Sequence, residues 1–219
     1  MRPELIDKHP GLAALELIWE HKDVRNCQRC PLSEHRKHVV FGEGLTETPD
    51  LAFVAFQPEP EMEHPFDRGD ESGDFYDRIL AKLGYNRFNV YTAYAVSCAP
   101  KRGRRVTPLH VEKCQPVILS QLRAVRPKVA IALGKAAGAA LTGLQDPAIG
   151  RFWSLSNGLA RTDVHVPVII THAIEDMRTN TAMKRHPDYP LRVKRQEYAW
   201  EHLQLAMRKL EDIKNRSAR

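Results

Sequence analysis

Four short apolar segments recur at almost constant spacing. They are Leu51–Phe56, Val90–Val96, Val129–Leu133 and Val166–Ile170, and their starts lie 39, 39 and 37 residues apart. A hairpin needs only a few residues between strands, whereas a parallel pair needs a crossover of a dozen or more, usually a helix. The segments are almost continuously apolar, as strands buried on both faces are. The stretches between them carry a helical period. Phe75, Ile79, Leu80 and Leu83 form one apolar face stopped by Gly84, Val111–Val125 forms another stopped by Arg126-Pro127, and Ala136–Leu141 is a short run of small residues. Ala199, Leu203, Ala206, Leu210 and Ile213 repeat at four-three-four-three spacing, which predicts a last helix over Arg195–Ile213. The pattern predicts an α/β fold of three layers, α/β/α, around a central four-stranded parallel sheet. One domain over 1–219 is expected, with an N-terminal helix within 1–26, a core over 27–213 and a basic tail over 214–219.

The chain has 219 residues, 42% hydrophobic and 27% charged, which excludes a disordered or low-complexity polymer. Its longest clean apolar run, Leu51–Phe56, is far short of the roughly 20 residues that span a bilayer. No hydrophobic signal segment follows Met1-Arg2-Pro3-Glu4. A cytoplasmic protein with no membrane partner is expected. Charge is unevenly spread. From Phe41 to Leu80 there are 11 acidic residues against Arg68 and Arg78. From Lys101 to Ala130 there are 8 basic residues against Glu112. A basic block of this kind suits a phosphate backbone, and equally a solvated helix face with a basic loop.

Four cysteines are present: Cys27, Cys30, Cys98 and Cys114. Cys27-Gln-Arg-Cys30 has the C-x-x-C spacing that lets two thiolates grip one centre, and Cys98 and Cys114 can complete a set of four. A zinc ribbon would show a second C-x-x-C, which is absent. Spacing alone leaves three readings open: a [4Fe–4S] cluster, zinc, or no metal, the cysteines then being a redox C-x-x-C or unrelated buried thiols.

In open α/β sheets ligands bind beyond the carboxyl ends of the strands. Those ends are Gln57-Pro58, Ser97-Cys98, Gly134-Lys135 and Thr171-His172. The third cysteine therefore falls at the rim of the expected site. Neither a phosphate-binding G-x-x-x-x-G-K-[ST] nor a strand followed by G-x-G-x-x-G occurs.

Several motifs together resemble the type-4, iron–sulfur branch of the uracil-DNA glycosylase superfamily. They are Cys27-Gln-Arg-Cys30-Pro31-Leu32, Val39 to Gly44, Val90-Tyr91 to Cys98, Thr107-Pro108 and Cys114, Lys128 to Gly134, and His186-Pro187-Asp188-Tyr189-Pro190-Leu191-Arg192 to Trp200. The resemblance runs from about Cys27 to Leu203. It implies a [4Fe–4S] cluster held by Cys27, Cys30, Cys98 and Cys114, a DNA partner, and hydrolysis of an N-glycosidic bond after base flipping. In that family the cluster is structural.

The family's site residues carry over unevenly. Its water-positioning Glu falls on Phe56, and Gln57 follows, able to hold water but not to act as a base. Pro58, Phe66 (of Pro65-Phe66) and Tyr94 take the base-contacting positions. Tyr94 stands where the family has its uracil-reading Asn, and a phenol lacks the amide's adjacent donor and acceptor. His172 or His186 takes the leaving-group role. Lys101, Arg102, Arg104 and Arg105 form a basic loop between two cysteines, expected to contact DNA. Two functions follow: a DNA glycosylase acting on a damaged or modified base, or a catalytically silent glycosylase-fold protein that binds DNA within a repair or replication assembly. The sequence names no protein partner.

Overall fold

The computed structural model describes residues 17, 21–155, 166–179 and 181–217. Six strands form one sheet: β1 (Glu43–Gly44), β2 (Leu51–Ala55), β3 (Tyr91–Tyr94), β4 (Val129–Leu133), β5 (Phe152–Ser154) and β6 (Pro167–Thr171). Five α-helices accompany them among the described elements: α1 (Glu71–Leu83), α2 (Pro108–Val125), α3 (Lys135–Thr142), α4 (Ile174–Met177) and α5 (Tyr189–Ser217). The strand order is β1-β3-β2-β4-β6-β5. The predicted four-stranded parallel sheet is its centre, β3-β2-β4-β6. Outside that centre β1 and β5 add short antiparallel edges, which brings the sheet to six strands among the described residues. Strands of two and three residues are too short to show a period-2 pattern in sequence.

Side chains on the central strands alternate between two cores. Ala52, Val54, Ala93, Ala130, Ala132, Val168 and Ile170 face one core with Ile118, Leu122 and Leu141 of α2 and α3. Leu51, Phe53, Tyr94, Val129, Ile131, Leu133 and Ile169 face the other with Tyr76, Leu80, Leu203 and Leu210 of α1 and α5. Both faces of the sheet are thus covered, which is why its strands read as unbroken apolar runs.

Helix ends follow local chemistry. The Asp70 carboxylate accepts the Ser72 amide at 3.0 Å and caps α1, and Gly84 ends it in the left-handed region at φ 81°. Gly44, at φ 113°, lies so close to β3 that a Cβ would sit 2.0 Å from the Val90 carbonyl oxygen, so only glycine fits this edge. The last helix is longer than predicted and runs through Ser217, so residues 214–217 of the expected basic tail are helical. Lys214 is fixed there by an ion pair to Asp50 at 2.5 Å. Most of the predicted N-terminal helix lies outside the described residues, though Leu17 and residues 21–25 are helical. No helix among the described residues is long and apolar enough to cross a membrane.

Candidate functional site

The four cysteines converge from three separate parts of the chain. Cys27 and Cys30 flank the turn before a short 3-10 helix (Pro31–Glu34), Cys98 follows β3, and Cys114 lies in the second turn of α2. All four line one small pocket of about 20 Å³. Val24, Leu32, Val39, Val96 and Val117 make its apolar wall, and Arg29, Arg36 and Lys113 bring positive charge to its border. Burial pushes the Cys98 thiol up to about 12, with Arg36 opposing and the three other cysteines adding to the rise. Burial also raises Cys114, against the amide and hydroxyl of Ser97. Four soft sulfur donors with no carboxylate or imidazole in the lining are a donor set suited to iron–sulfur or zinc chemistry. Among the described residues no three His, Cys, Asp or Glu side chains are gathered closely enough to share a single ion.

The basic loop is held at both ends by this pocket. Cys98, Ala99 and Pro100 are buried, while Lys101, Arg102, Arg104 and Arg105 are exposed. Val106 packs back onto the Leu32–Val96–Cys98 cluster. Gly103 at φ 77° makes the turn, closed by an Arg104 amide to Lys101 carbonyl bond of 2.9 Å. The Thr107 amide donates to His110 Nδ1 at 3.0 Å and starts α2. Arg102 lies near enough to Glu61 to help lower its pKa, after the hydrogen bond from Lys37.

Strand register sets out the carboxyl edge. Tyr94 pairs with Ala55, Ala55 with Leu133, and Leu133 with Thr171. Tyr94 and His172 therefore stand three strand spacings apart, roughly 14 Å along the edge. Gln57 is half-buried two residues beyond β2, and Pro58 is buried. Phe56 turns to the cysteine side, packing against the cluster that includes Cys30, Cys98 and Cys114. Its aromatic ring serves that wall.

Phe66 and Tyr94 are brought together. They are 1% and 2% exposed, so both belong to the core in this conformation. The Phe66 ring stacks on Tyr76 with centroids 4.6 Å apart and lies 5.7 Å from the Tyr94 ring. The Phe66 amide donates to the Tyr94 hydroxyl at 3.3 Å, and that hydroxyl donates toward Met62 Sδ at 3.3 Å. Phe66 has a left-handed backbone, φ 52°. Arg87 braces this turn: its guanidinium donates to the carbonyls of Pro65 (2.9 Å), Phe66 and Gly73 (3.3 Å), and pairs with Asp77 at 2.6 Å. Sequence reasoning missed Arg87, which sits in a turn with no motif.

His172 and His186 are not brought together. His172 is half-buried directly after β6. Burial, followed by the charge of Arg195, lowers its pKa, so its neutral form is favoured. His186 is exposed, and its Nδ1 accepts the Asp188 amide at 3.2 Å within its own turn. The partner of the His172 region is His202 of α5, also missed, whose Nδ1 lies 3.1 Å from Thr171 Oγ1 and whose ring centroid is 6.1 Å from that of His172. Glu175 is a further missed residue. It lies on α4, keeps an open surface, and is nonetheless surrounded by enough protein to push its carboxyl up, with Arg178 opposing and Glu59 adding to the rise. Glu175, Asp67 and Glu59 all lie near enough to act electrostatically on Tyr94. Glu61 is instead tied to Lys37 at 2.6 Å. A separate groove off β1 is bounded by Glu43, Glu61, Glu63, His64, Asp67 and Arg68, and its carboxylates make it unsuited to phosphate.

Trp153 is a packing residue whose Nε1 donates to the Ala148 carbonyl at 3.0 Å. Trp200 is half-buried in the core around α5, with Lys82 Nζ 4.1 Å from its ring centroid.

A mostly parallel sheet covered by helices on both faces defines an α/β protein. The chain belongs to the uracil DNA glycosylase superfamily, whose family model matches residues 41–207. It is 32% identical over 130 residues to the type-4 uracil-DNA glycosylase of Pyrobaculum aerophilum, covering 58% of this chain and 65% of that one. It is 30% identical over 128 residues to the type-4 uracil-DNA glycosylase of Archaeoglobus fulgidus, covering 57% and 63%. It is 32% identical over 126 residues to that of Thermotoga maritima, covering 56% and 63%. The matches thus span less than two thirds of the length of each of these relatives.

Proposed function

We propose that this chain is an iron–sulfur DNA glycosylase, working as one glycosylase-like domain. It binds DNA through Lys101, Arg102, Arg104 and Arg105 and hydrolyses the N-glycosidic bond of a damaged or modified base. The observation that carries this reading is the convergence of Cys27, Cys30, Cys98 and Cys114 on one pocket, with the basic loop held between its walls. The similarity to type-4 uracil-DNA glycosylases supports the same assignment. Sulfurs spread around a pocket suit a cluster whose irons occupy separate corners better than one zinc ion, whose four ligands sit about 2.0–2.3 Å from a single centre. When bound, a [4Fe–4S] cluster held by these cysteines supplies anchorage for the loop and takes no part in bond cleavage.

The chain's own residues would divide the chemistry. A flipped nucleotide enters at the carboxyl edge of the strands. Pro58, Phe66 and Tyr94 form the wall that the base meets. The Gln57 amide orients a water by hydrogen bonds, and one of the carboxylates within electrostatic reach of Tyr94, Glu175 or Glu59, takes its proton as it attacks the sugar carbon. Neutral His172 donates a hydrogen bond to the departing base. His186, exposed and turned to its own loop, is the less supported candidate for that role.

The burial of Phe66 and Tyr94 favours a second reading, in which the chain grips DNA without excising a base. Duplex oligonucleotides carrying uracil, hypoxanthine, xanthine or hydroxymethyluracil separate the two. Abasic product that disappears in Gln57→Ala or His172→Ala supports the enzyme. Tight, salt-sensitive binding with no product on any of the four supports the binding module.

A further inference from the structure

Ser97 occupies the junction between β3 and Cys98. Its backbone is fully used: the carbonyl accepts the Val40 amide at 2.8 Å, and the amide donates to Cys114 Sγ at 3.4 Å. The residue is 2% exposed and lines the cysteine pocket. Its hydroxyl oxygen is buried and makes no hydrogen bond of proper geometry, although it lies near enough to Cys114 to act on that sulfur. A buried hydroxyl left unsatisfied costs about 1–3 kcal/mol, so such a group calls for a reason. The neighbouring wall is apolar, from Leu32, Val39, Val96 and Val117. The acceptors within this pocket are the cysteine sulfurs. A thiol is a weak acceptor, whereas a thiolate bound to iron is charged and accepts well.

We infer that Ser97 is a positioning residue for the cluster, whose hydroxyl becomes satisfied by donating to the Cys114 thiolate once iron is bound. This rests on the iron–sulfur reading above. Two donors from one residue, amide and hydroxyl, then converge on a single ligating sulfur. Hydrogen bonds to cluster sulfurs stabilise the more negative, reduced state and raise the reduction potential. Ser97 thereby sets the poise of the centre from outside its coordination. The same residue holds Val40 through its carbonyl, so the segment after the C-x-x-C turn and the ligand on α2 are fixed at one point.

The test uses the full-length protein purified without air. Iron and acid-labile sulfide are measured first, and absence of iron from the wild type overturns the iron–sulfur reading itself. Mediated redox titration, followed by visible absorbance, then compares wild type with Ser97→Ala and Ser97→Thr. Loss of one charge-assisted hydrogen bond is expected to shift the oxidised-to-reduced ratio about tenfold, ~59 mV to the negative for one electron, in Ser97→Ala. Ser97→Thr keeps the hydroxyl and should stay near the wild-type midpoint. If Ser97→Ala fails to hold iron, full loading and a wild-type midpoint in Ser97→Thr still support the hydroxyl's role. An iron-loaded Ser97→Ala with an unchanged midpoint overturns the inference. So does a Ser97→Thr protein that fails together with the alanine variant.

Discussion

The amide of Phe66 donates to the hydroxyl of Tyr94 at 3.3 Å, joining a left-handed turn to the end of a central strand. The two rings lie 5.7 Å apart and both are buried. The phenol thus satisfies a buried donor and fills the space beside the phenyl ring. Tyr94→Phe strands that amide and should lower stability by about 1–3 kcal/mol in urea unfolding. Tyr94→Asn should cost more, about 3–5 kcal/mol, by leaving a cavity as well. Under the excision reading, Tyr94→Asn should also raise uracil removal relative to wild type, measured as abasic-site formation. An unchanged or lower uracil activity would show that Tyr94 is not what restricts the base.

The basic loop should act through counterion release. With four phosphates neutralised, the log-log dependence of DNA affinity on salt should have a slope of roughly −3 to −4. Arg104→Ala combined with Arg105→Ala should flatten it by about 2. Cys98→Ala should weaken DNA binding although it removes no charge, because it frees one end of the loop. Equal binding by Cys98→Ala and wild type in a fluorescence-anisotropy titration would separate the loop from the cysteine pocket.

Asp50 joins four elements at the opposite, amino end of the sheet. Its carboxylate accepts from Tyr85 at 3.0 Å, Lys128 at 2.8 Å and Lys214 at 2.5 Å. Burial pushes its pKa up, but the three donors outweigh that and hold it below 3.8. A depressed carboxyl pKa gives stability that is present above about 3.8 and lost as pH falls through the folded value. Asp50→Ala should cost about 1–3 kcal/mol at neutral pH and should flatten the acid limb of the stability curve below pH 4. A thermal-melt series against pH checks both.

The paired histidines give a pH dependence of their own. Burial lowers His172 and His202, and their mutual charge adds to the effect on His202. The folded state therefore binds fewer protons than the unfolded one as pH falls below the ordinary value of 6.5, and stability should decline from there downward. His64 runs the other way. Its 2.5 Å contact with Glu43 raises its pKa, so its contribution is present below 6.5 and fades as pH rises through the folded value. His202→Gln should remove part of the decline below pH 6.5 without altering the alkaline side. An unchanged profile would mean that the Thr171–His202 contact does not couple to protonation.

The sequence made the sheet's centre legible because strands buried on both faces have only apolar positions, and 39-residue spacings leave room only for crossovers. It hid the edges, since Glu43–Gly44 and Phe152–Ser154 are too short to carry a period. The cysteine pocket was legible through the C-x-x-C spacing and the resemblance that joined it to Cys98 and Cys114. The rest of the site was less so. Arg87 and His202 act through contacts 10 to 31 residues away in sequence, with no local pattern to announce them. Glu175 comes within electrostatic reach of Glu59 only because β6 and β2 end at the same edge of the sheet.

The most direct measurement is the metal and sulfide content of anaerobically purified protein, with its visible spectrum, for wild type and Cys27→Ala. The account predicts a brown wild-type protein with about four irons and four sulfides per chain, and loss of the colour in the variant. One zinc per chain with no iron, or a colourless protein that binds neither metal, would contradict it.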